Sequence, residues 1–519
     1  MRRKSVALLL VVLLALVALC PAALAEEETE PEKFYSADGY VYILNEDGSA
    51  QITGYTGTEQ RLIVPAELDG HAVTALGNRA FYGLDQLTEV QLPDTLKSVG
   101  KSSFGWCSSL QTVTFAEGLE TIESYAFWYC KKLTKLNLPD SVTTVMEAAF
   151  GGCDALNGVT LSPDHPALAV VDGVLFNTVD SVLLWYPVTR NGREYQVPDG
   201  TRRIGSEAFF RSKLEKIVLP ESVEELASSS ISGCDHLRTF NVPSKITKMD
   251  DVISSCDKLE AIEVSPENEV YESVDGVLFD KTTHTLIKYP PVRRGSSYTV
   301  PEGTEAIASY AFDAAGLNEI VLPDSLRVIG SNAFRFCDKL RTLLLPEGIE
   351  EIDSFAFQYC SSMERFVLPM SLKTIDANPF LHCSSLKEIV VPEDHPVLTL
   401  VNGCLVDTEE MTIVTCPETL KEQKLVFPDG IRAVGDDAFE YCKGIAEIVF
   451  GEGLETIGTY AFHGCDNLKR MVLPESVTEI NRSAFDLSKV KDNTVFVVTP
   501  DSYAENFCTA YELKTENAQ

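Results

Sequence analysis

The chain has 519 residues, 45% of them apolar, with 43 Lys and Arg against 77 Asp and Glu and a formal charge of −34. So large an acidic excess repels phosphate backbones and excludes nucleic acid as a partner, while the apolar share excludes a disordered chain. Length alone predicts several domains, but an internal repeat replaces that expectation with one long stack.

Met1–Ala25 reads as a secretory signal peptide. Arg2, Arg3 and Lys4 precede an apolar run from Val6 to Leu19, and Ala23-Leu24-Ala25 forms an A-x-A cleavage site. Lipidation at Cys20 is the weaker alternative, because Leu19 is too bulky for the position before a modified cysteine. No other stretch is long and apolar enough to span a bilayer, so the mature chain is expected to lack a transmembrane segment. Residues 26–61 read as an acidic leader and a capping hairpin, with Tyr40 to Gly54 alternating around Asn45-Glu46-Asp47-Gly48.

From 62 to 489 the chain repeats with a period of about 23 residues. Leu340 to Cys360, LRTLLLPEGIEEIDSFAFQYC, states the unit: L-x-x-I-x-L-P, an aliphatic residue three positions on, I-G or I-D, then A-F-x-x-C. The last two apolar residues of the first motif are two apart, so they share one face of a short strand. Proline ends that strand because it has no N–H to donate. A single rung cannot bury its apolar face, whereas stacked rungs can.

Three rungs are interrupted, at about 162–197, 265–300 and 392–427. Each interruption carries one motif: Val171-Asp172-Gly173-Val174-Leu175-Phe176, Val274-Asp275-Gly276-Val277-Leu278-Phe279 or Val401-Asn402-Gly403-Cys404-Leu405-Val406. These predict three β-hairpins projecting from an otherwise regular stack. His165 and His395 share the context Asp-His-Pro at two insert starts, with Asn268 in the third, which predicts a turn role. Residues 490–519 predict a cap: a strand over Val495–Val498, then a short helix capped by Ser502 with Ala504, Phe507, Cys508 and Tyr511 on its apolar side.

Of 14 cysteines, most recur once per rung at the same position, among them Cys107, Cys130 and Cys153, then Cys337, Cys360 and Cys383. This predicts a ladder of buried thiols and no metal site, with oxidised pairs on adjacent rungs left open.

The unit is similar to the BspA-like leucine-rich repeat family of bacterial secreted and surface proteins. The resemblance covers roughly Leu62 to Phe485. It implies a right-handed, mostly β solenoid with a parallel sheet and a binding or adhesion role. The family defines no catalytic residues.

No G-x-S-x-G, H-E-x-x-H or P-loop motif is present, and the seven histidines are scattered. The chain is therefore read as a non-enzyme without a cofactor. Two sets of residues are candidates for binding. The outward strand position is polar in early rungs but aliphatic later, at Val321, Leu344, Val367, Val390, Val449 and Val472. Such a stripe suits a protein partner on a host or neighbouring cell, unless strand propensity or cover by the inserts explains it. Trp106, Tyr129, Phe336, Tyr359 and Tyr441 precede cysteines and, with Trp128, form an aromatic row that suits carbohydrate or peptide. Packing of neighbouring turns is the alternative for that row. The sequence is read as a secreted recognition or adhesion protein, with a ligand-free matrix component and a carbohydrate-binding solenoid as competitors.

Overall fold

The computed structural model describes residues 31–249 and 251–518. The leader, its A-x-A site and Cys20 lie outside the described residues. The chain winds as a β-solenoid built from two stacked parallel sheets and a column of tight corners. One sheet takes the strand of L-x-x-I-x-L, as where Arg61–Ile63, Glu89–Gln91 and Thr112–Thr114 pair in parallel. The other takes the short strand before the Gly or Asp corner, as where Val328–Ile329, Glu351–Ile352 and Thr374–Ile375 pair.

The inward residues explain the stack. The phenylalanine of each A-F lies on that of the next rung, so Phe81, Phe104, Phe127 and Phe150 form one column with ring centroids 5.1, 5.4 and 6.0 Å apart. Phe312, Phe334, Phe357 and Phe380 form another. Offset stacking adds to the area that each ring buries.

The predicted cysteine ladder is present, and all eleven free cysteines among the described residues are buried. Each regular thiol donates to the phenylalanine carbonyl of the preceding rung: Cys107 to Phe81, Cys130 to Phe104, Cys360 to Phe334 and Cys465 to Phe439, at 3.0–3.2 Å. The cysteine is therefore both a small apolar residue and the donor that satisfies a carbonyl at the corner. Burial pushes the Cys107, Cys153 and Cys465 thiols up to about 12, which keeps them protonated and unreactive. Among the described residues one disulfide forms, between Cys404 and Cys416, neither of them in the ladder.

The three predicted hairpins are present and continue into a third strand. Leu168–Val171, Val174–Asn177 and Val182–Trp185 form an antiparallel meander whose last strand enters the parallel sheet beside Arg203–Ile204. The second and third inserts repeat this arrangement. They do not project. Alternate residues face opposite ways, and both faces are buried: Leu175 and Trp185 pack into the core before the insert, whereas Val174, Phe176 and Leu183 pack into the core after it. Leu405 and Val414 likewise face backward while Cys404, Val406 and Ile413 face forward. Each meander is thus a transverse wall, and three walls divide the interior into four cores.

The N-terminal hairpin is a fourth copy. Phe34–Tyr35, Tyr40–Leu44 and Ala50–Tyr55 form the same meander, and its third strand pairs in parallel with His71–Leu76. Only one of its faces, carrying Tyr40, Tyr42, Ala50 and Ile52, joins a core. The turn reading of the insert histidines holds. His165 Nδ1 accepts from the backbone N–H of Ala167 and Leu168, His395 Nδ1 from Val397 and Leu398, and Asn268 Oδ1 from Val270 and Tyr271.

At the far end the helix Tyr503–Ala510 is capped by Ser502, which accepts from Glu505 N–H, and it buries Ala504, Phe507 and Cys508. Tyr511 is its C-cap and is exposed. A further helix, Leu487–Asn493, and a last strand, Lys514–Asn517, complete the cap.

Candidate binding surface

The outward aliphatic stripe forms part of the first sheet, and its exposure is uneven. Leu344 is 80% exposed and Val321 46%, whereas Val367, Val390, Val449 and Val472 are half-buried. Register explains the grouping. Val367 lies beside Val390, and Val449 beside Val472, so each shields its neighbour. Leu344 sits in a segment with no strand partners, between Glu319–Val321 and Arg365–Val367. The inserts interrupt the stripe: at the third wall Asn402 Nδ2 donates to the Val426 carbonyl, on the strand that resumes the sheet. Val426, 53% exposed, belongs to the stripe too. The alternation Leu425-Val426-Phe427, on the returning strand of the insert, marks it in the sequence. Charged pairs such as Arg365–Glu388 and Lys387–Glu364 border the aliphatic residues.

The aromatic residues fall into two separate groups. Trp106 stacks on Tyr129 with centroids 4.6 Å apart, and Trp128 meets both edge-on. Farther along, Phe336 stacks on Tyr359, Tyr359 on His382, and His382 meets Tyr441 across the third wall. His382 also precedes a cysteine, Cys383, and its imidazole continues the aromatic row. All these pre-cysteine residues have φ near +60°, a left-handed corner that disfavours a bulky side chain. Glycine takes this corner at Gly152 and Gly464, and there the preceding ring closes over the backbone: an added Cβ would lie 2.8 Å from Tyr129 and 2.9 Å from Tyr441. Stacking offsets the strain, so packing accounts for much of each group, while the outer faces of Trp106 and Phe336 remain exposed.

The family model of the BspA-type leucine-rich repeat region matches this chain in six copies, over residues 74–172, 188–291, 305–424 and 418–499. The chain belongs to the BspA-type leucine-rich repeat family. Among solved structures it is similar to a leucine-rich cell-surface protein from Faecalibacterium prausnitzii, with 26% identity over 70% of this chain and 96% of that one and a TM-score of 0.45. It is also similar to a leucine-rich repeat protein from Eubacterium ventriosum, with 18% identity over 63% and 94% and a TM-score of 0.44. A third is the pneumococcal vaccine antigen PcpA, with 17% identity over 94% and 99% and a TM-score of 0.34. No curated protein matches. Among the described residues, no helix is long and apolar enough to cross a membrane, and no group of three or more His, Cys, Asp or Glu is placed to hold a metal ion.

In this BspA-type array the third wall also carries linked titrating groups. Glu418, 3.3 Å from His382, raises the histidine pKa. Burial, with Glu440 beside it, pushes the Asp437 carboxyl up to about 7. His382 contributes stability fully below the unfolded histidine value near 6.5 and loses it as pH rises through the raised folded pKa. Asp437 acts in the same direction, because from about pH 4 to about 7 the unfolded carboxyl ionises while the folded one resists. Stability of this region is therefore expected to fall from about pH 4 to about pH 7 through Asp437 and to go on falling above about pH 6.5 through His382, with Asp437→Asn flattening the profile between about pH 4 and about pH 7. Thermal unfolding across that range checks it; an equally steep fall in the variant would exclude Asp437 as the source.

Proposed function

We propose that this protein is exported and acts by non-covalent recognition of another protein through the aliphatic stripe centred on Val321 and Leu344. The observation that carries the reading is the 80% exposure of Leu344 beside exposed Val321 on the adjacent rung. Large aliphatic side chains on neighbouring rungs, bordered by charged residues, match the apolar centre and polar rim of a protein interface. The partner surface is expected to carry basic charge, since the chain carries −34 and opposite potentials steer association. The A-x-A leader and the Cys404–Cys416 disulfide both favour an oxidising, extracellular setting. Attachment to a host or neighbouring cell fits this role.

The test is Leu344→Asp combined with Val321→Asp. Both residues are exposed, so the array is expected to unfold at an unchanged temperature. Affinity for a partner captured from cell-surface or matrix protein is expected to drop at least about thirtyfold, the usual loss at an interface centre. Undiminished affinity would rule out the stripe. Reversible self-association in the absence of any other protein, abolished by the same pair, would favour the matrix-component reading.

A further inference from the structure

The second wall differs from the other two in what it packs against. At the first, Trp185 presses on Phe150 of the preceding rung, with centroids 6.1 Å apart. At the third, Thr415 donates to Asn378 Oδ1 at 2.6 Å in the rung that carries Phe380. The corresponding residues at the second wall are Lys288 and Ile253. An aliphatic side chain replaces a phenyl ring, and an extended ammonium side chain replaces an indole. The seam stays open as a cavity of about 600 Å³.

The lining is polar and built. Ser229, Ser254 and Ser255 line it from two adjacent rungs, Ser254 Oγ also sharing a hydrogen bond with Ser232 Oγ at 2.8 Å; exposed Asp251 adds a carboxylate at the rim, and Met249, Ile287 and Ala308 supply apolar surface. Asp313 is gripped by both Arg335 nitrogens, Nε to Oδ1 at 2.9 Å and a terminal nitrogen to Oδ2 at 3.1 Å, so its charge is already answered. Lys288 is not. It is 8% exposed, its Nζ donates to the Tyr310 carbonyl at 2.8 Å, and no carboxylate among the described residues lies within ion-pair distance. An ammonium group has three donors, and one is used. A buried cation without a counter-ion is destabilising, and a methionine of similar length would be more stable there. Burial lowers the lysine pKa accordingly.

We propose that this cavity binds an acidic monosaccharide, its carboxylate on Lys288 Nζ and its ring hydroxyls on the serine row. The volume falls within the range of small-ligand pockets and is far larger than a simple anion needs. Rungs are spaced about 4.8 Å apart, close to the separation of hydroxyls across a pyranose ring, so serines on adjacent rungs can serve one sugar. The apolar surface suits the C–H face of such a ring. The site is independent of the aliphatic stripe.

The test titrates the full chain with D-glucuronate and with N-acetylneuraminate, using D-glucose as the neutral control, followed by calorimetry and ligand-observed NMR. At least one acid is expected to bind below about 10 mM, with D-glucose at least about tenfold weaker. Lys288→Met is expected to weaken the acid at least about thirtyfold while the unfolding temperature holds or rises. Ser254→Ala, at an exposed position, is the second variant, with a loss of about threefold to tenfold. The proposal is overturned if neither acid binds, if D-glucose binds as tightly, or if both variants keep wild-type affinity. Loss of both Leu344 and Val321 is expected to leave sugar binding intact, which separates this site from protein recognition.

Discussion

Phe334→Ala is expected to destabilise the protein by about 3–5 kcal/mol, the largest effect of any single truncation considered. Phe334 is fully buried, and its ring stacks on Phe312 and Phe357 with centroids 5.1 and 5.4 Å away at interplanar angles of 9° and 7°. Removing it deletes the transfer energy of a phenyl group and leaves a void that the column cannot close, since the rungs on either side are held at the spacing of the parallel sheet. The damage should be local. Phe334 belongs to the core between the second and third walls. Amide exchange is expected to quicken between about residues 277 and 414 and to change little before residue 170. In a thermal scan the transition of that core should fall by roughly 10–20 °C. A uniform rise in exchange along the chain would mean that the walls do not separate the cores and that the solenoid unfolds as one unit.

Replacing Cys404 and Cys416 together by alanine is expected to cost about 2–4 kcal/mol. The bridge spans 12 residues, and a loop of that size contributes about 3 kcal/mol through the unfolded chain. It ties Cys404–Asp407 to the end of Thr412–Thr415 within the third wall, and both cysteines are buried. The double variant should loosen the core from about residue 404 to the C-terminus, with increased exchange there, while the ladder cysteines contribute nothing to the difference. Mass spectrometry under denaturing, non-reducing conditions is expected to find one bridge and eleven alkylatable thiols among the described cysteines. Stability unaffected by the double substitution would show that wall packing, not the bridge, holds this hairpin.

The rung could be read from the sequence because its signals are local and repeated. Leu343, Ile349, Ile352, Phe357 and Cys360 are all buried, as their spacing requires, and Leu344 points out. The inserts were recognisable as hairpins because Asp172-Gly173, Asp275-Gly276 and Asn402-Gly403 are turn sequences. Their burial was not, because period-two alternation is the same whether one face or both find a core. The N-terminal copy was hidden by Tyr40-Val41-Tyr42 in place of Val-Leu-Phe. The uneven exposure of the stripe depends on the neighbour at the same position one rung away, so Val390 cannot be judged from its own rung. The aromatic corners contradict backbone preference, since a Trp at φ +61° is tolerated only when a ring on the next rung supports it. The cavity is the converse case. Ile253 in place of Phe150 and Lys288 in place of Trp185 can be seen once the three seams are aligned, but that alignment rests on knowing that the inserts are walls.

The walls have a mechanical consequence. Were the attachment proposed above to load the protein along its length, a stack with one continuous core would give way all at once. Here each core ends at a sheet that also seals the next, so a rupture in one compartment meets an intact bulkhead. Under tension the chain would pay out in stages of roughly 350–500 Å each, the contour length of one compartment. Each stage dissipates work while the remaining compartments keep their shape, much as the links of a chain fail singly.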